Sequence, residues 1–180
     1  MTVRITKPEF NLREKISELD YSRVPYEKMP AGSVVQVAFN SLYGSAISTT
    51  SSSFQDSGLF VNISPRFTSS KIIVTATIDA QTGNAAGKGV EYTFFRNIGA
   101  DATATSPSVN LLESAPNKNY ISYSSADGYI HERAIMMAED NPNTIKRVQY
   151  RVFFHSHAGG NAGINKDWGG IHIKAEEIRQ

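Results

Sequence analysis

The sequence contains no cysteine, which excludes a disulfide framework, thiolate catalysis and cysteine-based zinc sites. It also lacks any apolar run near the roughly 18 residues that a membrane-spanning helix needs. The first ten residues have no apolar segment of the kind found in the middle of a signal peptide. We therefore expect a soluble protein that is made in a reducing cytoplasm.

Net charge is almost absent as well. The chain has 18 Lys and Arg against 17 Asp and Glu, a formal net charge of +1. A protein with so small a net charge produces no general attraction for nucleic acid or for an acidic membrane surface. We expect neither as a partner.

The few charges are distributed unevenly along the chain. They crowd the first thirty residues, whereas Asp56 is the only charged residue from Ala31 to Pro65. This change in composition indicates a boundary close to Gly32. We therefore predict two parts, an N-terminal arm over residues 1–32 and a head domain over residues 33–180.

Within the arm, a short helix is predicted from Leu12 to Leu19. Asn11 and Glu14 form a capping pair, and apolar residues recur at helical spacing after it. A helix of two or three turns is not stable alone in water, so we expect its apolar side to bind another protein. The residues expected to anchor the arm to that partner are Phe10, Leu12, Ile16, Leu19 and Tyr26.

From Ser33 onward, apolar residues alternate with polar ones at a period of two, which is typical of strands. Clusters of Gly, Asn, Asp and Pro separate the segments, and no helical pattern intervenes. About eight to ten short strands of this kind indicate an all-β fold, a jelly-roll-like antiparallel β-sandwich. The main apolar sets are Val35, Val37 and Phe39; Leu59, Val61 and Ile63; Ile72, Val74, Ala76 and Ile78; Val90, Tyr92 and Phe94; residues 130–137; Val148, Tyr150, Val152 and Phe154; and Ile171, Ile173 and Ala175. Shorter strands are expected at Tyr120–Tyr123 and Gly163–Asn165.

Two predicted strands, Val34–Tyr43 and Lys71–Ile78, have few charges on either face. A two-layer sandwich buries only one face of each sheet. The second face is then either covered by another subunit or by the arm, which favours an oligomer, or it exposes its threonine, serine and asparagine side chains to water.

Motifs that carry chemistry are scarce. The glycine-rich stretch Gly83–Gly89 has the wrong spacing for a phosphate-binding loop, so we interpret it as a hairpin loop. Glu176 and Glu177 are adjacent on a predicted strand and point to opposite faces, so they cannot share one proton-transfer site. We expect no catalytic residues and no cofactor.

His155 and His157 lie two apart on a predicted strand, and so on one face. Three copies of this pair around a threefold axis would offer six imidazole nitrogens to a metal ion, but a His-x-His pattern arises easily by chance. Two surface or interface histidines are the working interpretation, with no metal site.

Aromatic residues at strand spacing are usually part of a core. We assign Tyr92, Phe94, Tyr150 and Phe154 to that role. The tyrosines of a serine-rich stretch are instead candidates for contact with a glycan: Tyr120, Tyr123 and Tyr129.

Two segments resemble small virion proteins of phages that infect marine and freshwater bacteria, chiefly cyanophages and pelagiphages. The first is Arg4–Asp20, which is similar to an opening shared by otherwise different appendage proteins. The second is the stretch from Phe54 to Val74, a pattern that lies in a β-sandwich head in that group. Further likeness is found in Phe94–Asn97, Glu139–Thr144 and Ile173–Ile178, whereas Lys174 and Trp168–Gly170 depart from the pattern.

This resemblance implies a non-enzymatic structural protein of the virion, made in the cytoplasm of a bacterial host. The arm would attach it to another virion protein, and the head is the part that the virion would display. We separately expect the head to form a homotrimer, with a host-surface glycan or receptor as a candidate partner. A tail-fibre or similar appendage protein and a capsid decoration or head-fibre protein are the two nearly equal alternatives. A polysaccharide-degrading enzyme is the third, which would require a pair of carboxylates in a groove.

Overall fold

The computed structural model describes residues 25–83, 86–112, 120–123, 130–165 and 170–180, with residues 83, 120–123, 130 and 165 described by their backbone alone. These ranges contain one short 3-10 turn, Tyr26–Lys28, and eleven strands. The strands are β1 (Val34–Leu42), β2 (Ile47–Thr49), β3 (Gln55–Ile63), β4 (Lys71–Gly83), β5 (Gly89–Ile98), β6 (Val109–Asn110), β7 (Tyr120–Tyr123), β8 (Ile130–Asp140), β9 (Val148–His157), β10 (Asn161–Asn165) and β11 (Ile171–Ile178). The helix predicted over Leu12–Leu19 lies outside the described residues.

The strands form two antiparallel sheets with the connectivity of a jelly roll. Sheet A has the order β1-β11-β4-β8, with β10 and β2 extending it beside the second half of β4. Sheet B has the order β3-β9-β5, followed by β6 and β7 along the two halves of β5. Strands that are distant in the sequence are neighbours in both sheets, as in the double Greek key of a jelly roll. The predicted fold class is confirmed.

The hydrophobic core lies between the two sheets. It contains alternate residues of the longer strands that face the opposite sheet, among them Leu59, Ile72, Phe94, Tyr150 and Phe154. The aromatic residues that were assigned to the core are therefore in it. At about 1.5 to 3 kcal/mol for each large side chain, this burial is the main favourable contribution to folding.

One predicted alternation is wrong, because β1 contains an irregularity near its start. The pairing of β1 with β11 shifts register between Val34 and Gln36. Val35 is buried, but Val37 and Phe39 point outward and are exposed. An extra residue in a strand reverses which side chains face the core, so the three apolar residues do not share a face.

The interpretation of Gly83–Gly89 as a hairpin loop is also wrong. β4 pairs with strands of sheet A and β5 with strands of sheet B. The connection between them therefore passes from one layer of the sandwich to the other. Local turn residues predict a change of direction, but they do not say whether the next strand pairs with the previous one.

A buried carboxylate links the last strand to the loop between β3 and β4. The Glu177 side chain is 0% exposed. Its Oε1 accepts hydrogen bonds from the backbone N–H groups of Arg66 and Phe67, at 2.7 and 3.2 Å, and from the hydroxyl of Ser70 at 2.5 Å. Its Oε2 accepts one from Gln36 Nε2 at 2.6 Å. Four donors thus replace the water that this carboxylate loses on folding.

Glu177→Ala is expected to lower the free energy of unfolding by about 3 kcal/mol, because it leaves backbone N–H groups buried without an acceptor. Chemical denaturation of the full chain measures this change. Glu176→Ala is the matched control, since the Glu176 carboxylate is on the outer face of the sheet and pairs with Lys174 at 2.9 Å. A surface pair of this kind contributes about 1 kcal/mol or less. Equal losses in the two variants would contradict the assigned role of Glu177.

Candidate contact surfaces and binding site

The first described residues are held against the end of β11 by Arg179. The backbone N–H of Gly32 donates to Arg179 O at 2.8 Å, and Arg179 N donates to Ser33 O at 2.9 Å. The Arg179 guanidinium donates to the carbonyl oxygens of Tyr26, at 3.2 Å, and of Met29. The point where the arm joins the head is therefore fixed, and we call this end of the sandwich the attachment pole.

Of the five predicted anchor residues, the structure describes Tyr26 alone. Its ring is 40% exposed and lies under the Arg66 guanidinium, 5.1 Å from carbon to ring centroid. Arg66 belongs to the loop that Glu177 holds in place. Tyr26 thus contacts the head at the attachment pole. Phe10, Leu12, Ile16 and Leu19 lie outside the described residues.

The outer face of sheet A has apolar ridges on two of its strands. Val37, Phe39 and Tyr43 project from β1 and the residue after it, and Ile135 and Met137 project from β8; all five are exposed. Between the ridges, β11 and β4 present polar side chains. The rows that cross the sheet in register are Phe39, Lys174, Thr75 and Met137, and then Ser41, His172, Thr77 and Ile135.

Three rings form a continuous aromatic group beside this polar strip. The Phe39 and His172 rings are stacked with centroids 5.9 Å apart, and the Tyr43 ring meets His172 edge-on at 6.0 Å. Phe39 is 63% and Tyr43 65% exposed. His172 Nδ1 is buried and has no hydrogen-bond partner, so ring contacts and not hydrogen bonds fix the orientation of this imidazole within the described residues.

A glycine allows Tyr43 to take its place in this group. Gly170 has a φ of +71°, and a Cβ atom built on it would lie 2.4 Å from Cε1 of Tyr43. Any side chain at this position would therefore push the ring away and would also strain the backbone. The Tyr43 ring covers Gly170, the residue before β11.

Two rings of the aromatic group, Phe39 and His172, line an open depression of about 380 Å³, together with Thr75, Thr77, Ile173 and Lys174. Tyr43 lies beside it, in contact with His172. Within the described ranges, neither the Thr75 nor the Thr77 hydroxyl has a hydrogen-bond partner in the protein. The charge of Lys174 is balanced by Glu176. The depression is thus nearly neutral, with aromatic surface on one side and unused hydrogen-bonding groups on its floor.

The depression lies far from the attachment pole. β11 runs from His172, beside the depression, to Ile178, which pairs with Val34 next to the clamped segment. Six residues of strand separate these positions, about 20 Å at roughly 3.3 Å per residue. Tyr43, beyond the far end of β1, is farther still. The depression is therefore displaced from the attachment pole, beside the middle of β4, which continues beyond Thr77 to Gly83.

His155 and His157 lie on the outer face of sheet B, as predicted, and converge on Glu91. Glu91 Oε2 is 3.3 Å from His155 Nε2 and 3.5 Å from His157 Nδ1. The other nitrogen of His155 is 2.9 Å from the carbonyl oxygen of Ser156. This geometry suits a carboxylate that accepts from two imidazole N–H groups. Over the described residues, no group of three or more His, Asp or Glu side chains is arranged to hold a metal ion.

A second polar network joins the two sheets at one end of the core. The Tyr150 hydroxyl donates to Asp140 Oδ2 at 2.8 Å, and the Arg96 guanidinium pairs with the same carboxylate at 3.3 Å. Burial, and then the nearby Asp140 carboxylate, raises the pKa of Tyr150 well above its usual range. Tyr150 is therefore a neutral hydrogen-bond donor in the folded protein and not a general base.

The tyrosines that were candidates for glycan contact are placed only in part. Tyr120 and Tyr123 belong to β7 at the edge of sheet B, and their side chains lie outside the description, as does all of Tyr129. The sequence reasoning missed the group of Phe39, Tyr43 and His172. The sequence contains a signal for this group, since two aromatic residues, Phe39 and Tyr43, lie near the end of β1. The period-two pattern, however, assigns Phe39 to the core.

None of the helices among the described residues has the length and apolar character needed to cross a membrane. A scan of the chain against protein-family models finds no match, and neither does a search of curated proteins. The geometry of the chain and the resemblance stated above are thus the grounds for a functional interpretation.

Tyr150→Phe is expected to change how stability depends on pH. The pKa of Tyr150 is higher in the folded than in the unfolded chain, where it is near 10.0, the ordinary value for a tyrosine. The unfolded state therefore loses a proton above about pH 10 that the folded state keeps, and stability falls as pH rises. Without this hydroxyl, the fall should be shallower by up to about 1.4 kcal/mol per pH unit.

Urea denaturation of the wild type and of Tyr150→Phe at several pH values between neutrality and about pH 11 measures this difference. Tyr26→Phe is a suitable control, because it removes a hydroxyl from a half-exposed ring on the surface. Parallel curves for the wild type and Tyr150→Phe would contradict the assignment.

Proposed function

We propose that this chain is a non-enzymatic structural protein of a tailed-phage virion, an appendage component that residues 1–32 attach and whose β-sandwich head is displayed. The observation that carries the proposal is the clamp at the attachment pole, where Arg179 holds Tyr26 and Met29 against the head. A fixed exit gives an attached head a defined orientation on the particle.

The composition of the arm supports attachment through its apolar residues. Burial of Leu12, Ile16 and Leu19 against a partner would contribute roughly 1.5 to 3 kcal/mol for each side chain. The resemblance of Arg4–Asp20 to an opening shared by different appendage proteins supports the same role. A shared arm would let one binding site on the particle accept several different head domains.

The chemistry of the head supports display over catalysis. The hydroxyl of Tyr150, the buried Glu177 and the Asp140 carboxylate are each engaged in hydrogen bonds that join structural elements. Glu176 and Glu177 point to opposite faces of β11, as predicted, and so form no acid–base pair. The exposed apolar residues of sheet A are the more distinctive feature of the surface, and they suit contact with another molecule.

The double variant Leu12→Glu, Ile16→Glu should leave a folded, soluble protein that no longer incorporates into particles. A shorter chain that lacks residues 1–24 should behave in the same way, because it keeps the segment that Arg179 holds. Purified virions from complemented infections, examined by quantitative mass spectrometry, measure incorporation. The double variant Arg13→Glu, Lys15→Glu is the control for altered charge. Normal incorporation of the Leu12→Glu, Ile16→Glu variant would overturn the proposal.

The same measurement separates the two virion locations. An appendage is present in tens of copies or fewer, whereas a decoration protein approaches the copy number of the major capsid protein. A copy number near that of the capsid would replace the appendage with the capsid alternative and would leave the attachment role unchanged.

Self-association as a homotrimer belongs to this proposal. Sedimentation equilibrium of the full chain should give three times the 19.7 kDa chain mass. A mass of 19.7 kDa at all concentrations would contradict the trimer.

A further inference from the structure

We propose that the depression lined by Phe39 and His172 on the outer face of sheet A, with Tyr43 beside His172, is a binding site for a neutral glycan. This inference deepens the proposed function, on which it rests, by naming what the displayed head binds. It concerns a different face from the tyrosines of β7, which belong to sheet B.

The aromatic surface is the first part of the argument. A sugar ring has apolar C–H faces and a rim of hydroxyl groups, so a site for it combines an exposed aromatic ring with hydrogen-bonding groups beside the ring. Phe39 and Tyr43 are both more than half exposed, although large aromatic side chains on a sandwich are usually buried. They are also ordered, since His172 contacts both of them.

The floor of the depression supplies the polar groups. Thr75 and Thr77 present two hydroxyls that no protein group uses within the described residues. They are two residues apart on β4 and so point to the same side of the sheet. In the register of the sheet, Lys174 lies between Thr75 and Phe39, and His172 lies between Thr77 and Ser41. Hydroxyl groups can both donate and accept, which matches the hydroxyls of a sugar.

The size and charge of the site narrow the ligand. A volume of about 380 Å³ is near the lower end of the range for small-molecule sites, roughly 300 to 1,000 Å³. It suits one or two sugar rings of a longer chain that continues beyond the open ends of the depression. The positive charge of Lys174 is balanced by Glu176 at 2.9 Å, so the lining favours neutral sugars over uronic acids.

The position of the site agrees with a displayed head. The depression extends along β11 from Lys174 to His172, about 13 to 20 Å from Ile178 at the attachment pole. A head held at Arg179 therefore presents Phe39 and Tyr43 away from its attachment, where a surface polysaccharide can reach them. The Tyr43 ring occupies the space left by the absence of a side chain at Gly170.

The test uses the full chain and a printed array of neutral oligosaccharides, namely those of glucose, galactose, mannose and rhamnose, with oligogalacturonate as the acidic comparison. Binding of at least one neutral probe is expected, and titration calorimetry then gives its affinity. Phe39→Ala and Tyr43→Ala should each weaken that binding at least about tenfold. Val37→Ala is the matched control, because it lies on the same strand and ridge without a ring, and its affinity should stay within roughly twofold.

Several outcomes would overturn the inference. These are no binding to any neutral probe, binding to oligogalacturonate alone, and binding that both ring variants leave unchanged. A fall in the sedimentation mass of Phe39→Ala would also overturn it, since this face would then be an interface between copies. Thermal unfolding of each variant separates loss of the site from loss of the fold.

The inference and the proposed function fail in different experiments. Phe39→Ala keeps the arm intact, so its incorporation into virions should be normal while its glycan binding is lost. The arm variants should show the reverse. If the wild-type chain binds a neutral glycan but does not incorporate into virions, the virion role is wrong and the glycan site stands.

Discussion

A strand in a two-layer sandwich has one face that the opposite sheet covers and one face that it leaves to solvent or to a partner. The rest of this structure depends on that constraint. Leu59, Phe94 and Phe154 fill the space between the sheets, and the register of every strand follows from keeping such residues inside. The irregularity near the start of β1 shifts the register by one residue, so Val37 and Phe39 point to the outer face.

The head is organised along its strands as well as across its layers. At one end, the buried Glu177 holds the loop that carries Arg66 and Phe67, and that loop in turn contacts Tyr26. At the other end, Tyr43 lies over Gly170. One end thus has its polar groups satisfied internally by charged and backbone partners, while the other leaves aromatic and hydroxyl groups open. The two ends are built for different kinds of contact.

Much of the fold could be predicted from the sequence, because alternation reports burial directly. The strands, the central aromatic residues and the opposite orientations of Glu176 and Glu177 follow from a period of two. The site could not be predicted in this way. A period of two places Phe39 on the same face as Val35, but the one extra residue in β1 separates them. His172 meets Phe39 only because the first and last strands of the described chain pair with each other. The passage from β4 to β5 between layers is likewise set by long-range pairing and not by local turn residues.

The pairing of β1 with β11 brings the two ends of the described chain together, since Arg179 touches Tyr26. Any reporter or affinity peptide fused after Gln180 would therefore emerge beside Tyr26 and Met29, at the attachment pole. The exposed turn at Gly44 and Ser45 is at the opposite end of β1. Foreign epitopes inserted there would face outward, so this turn is the better place for engineered display.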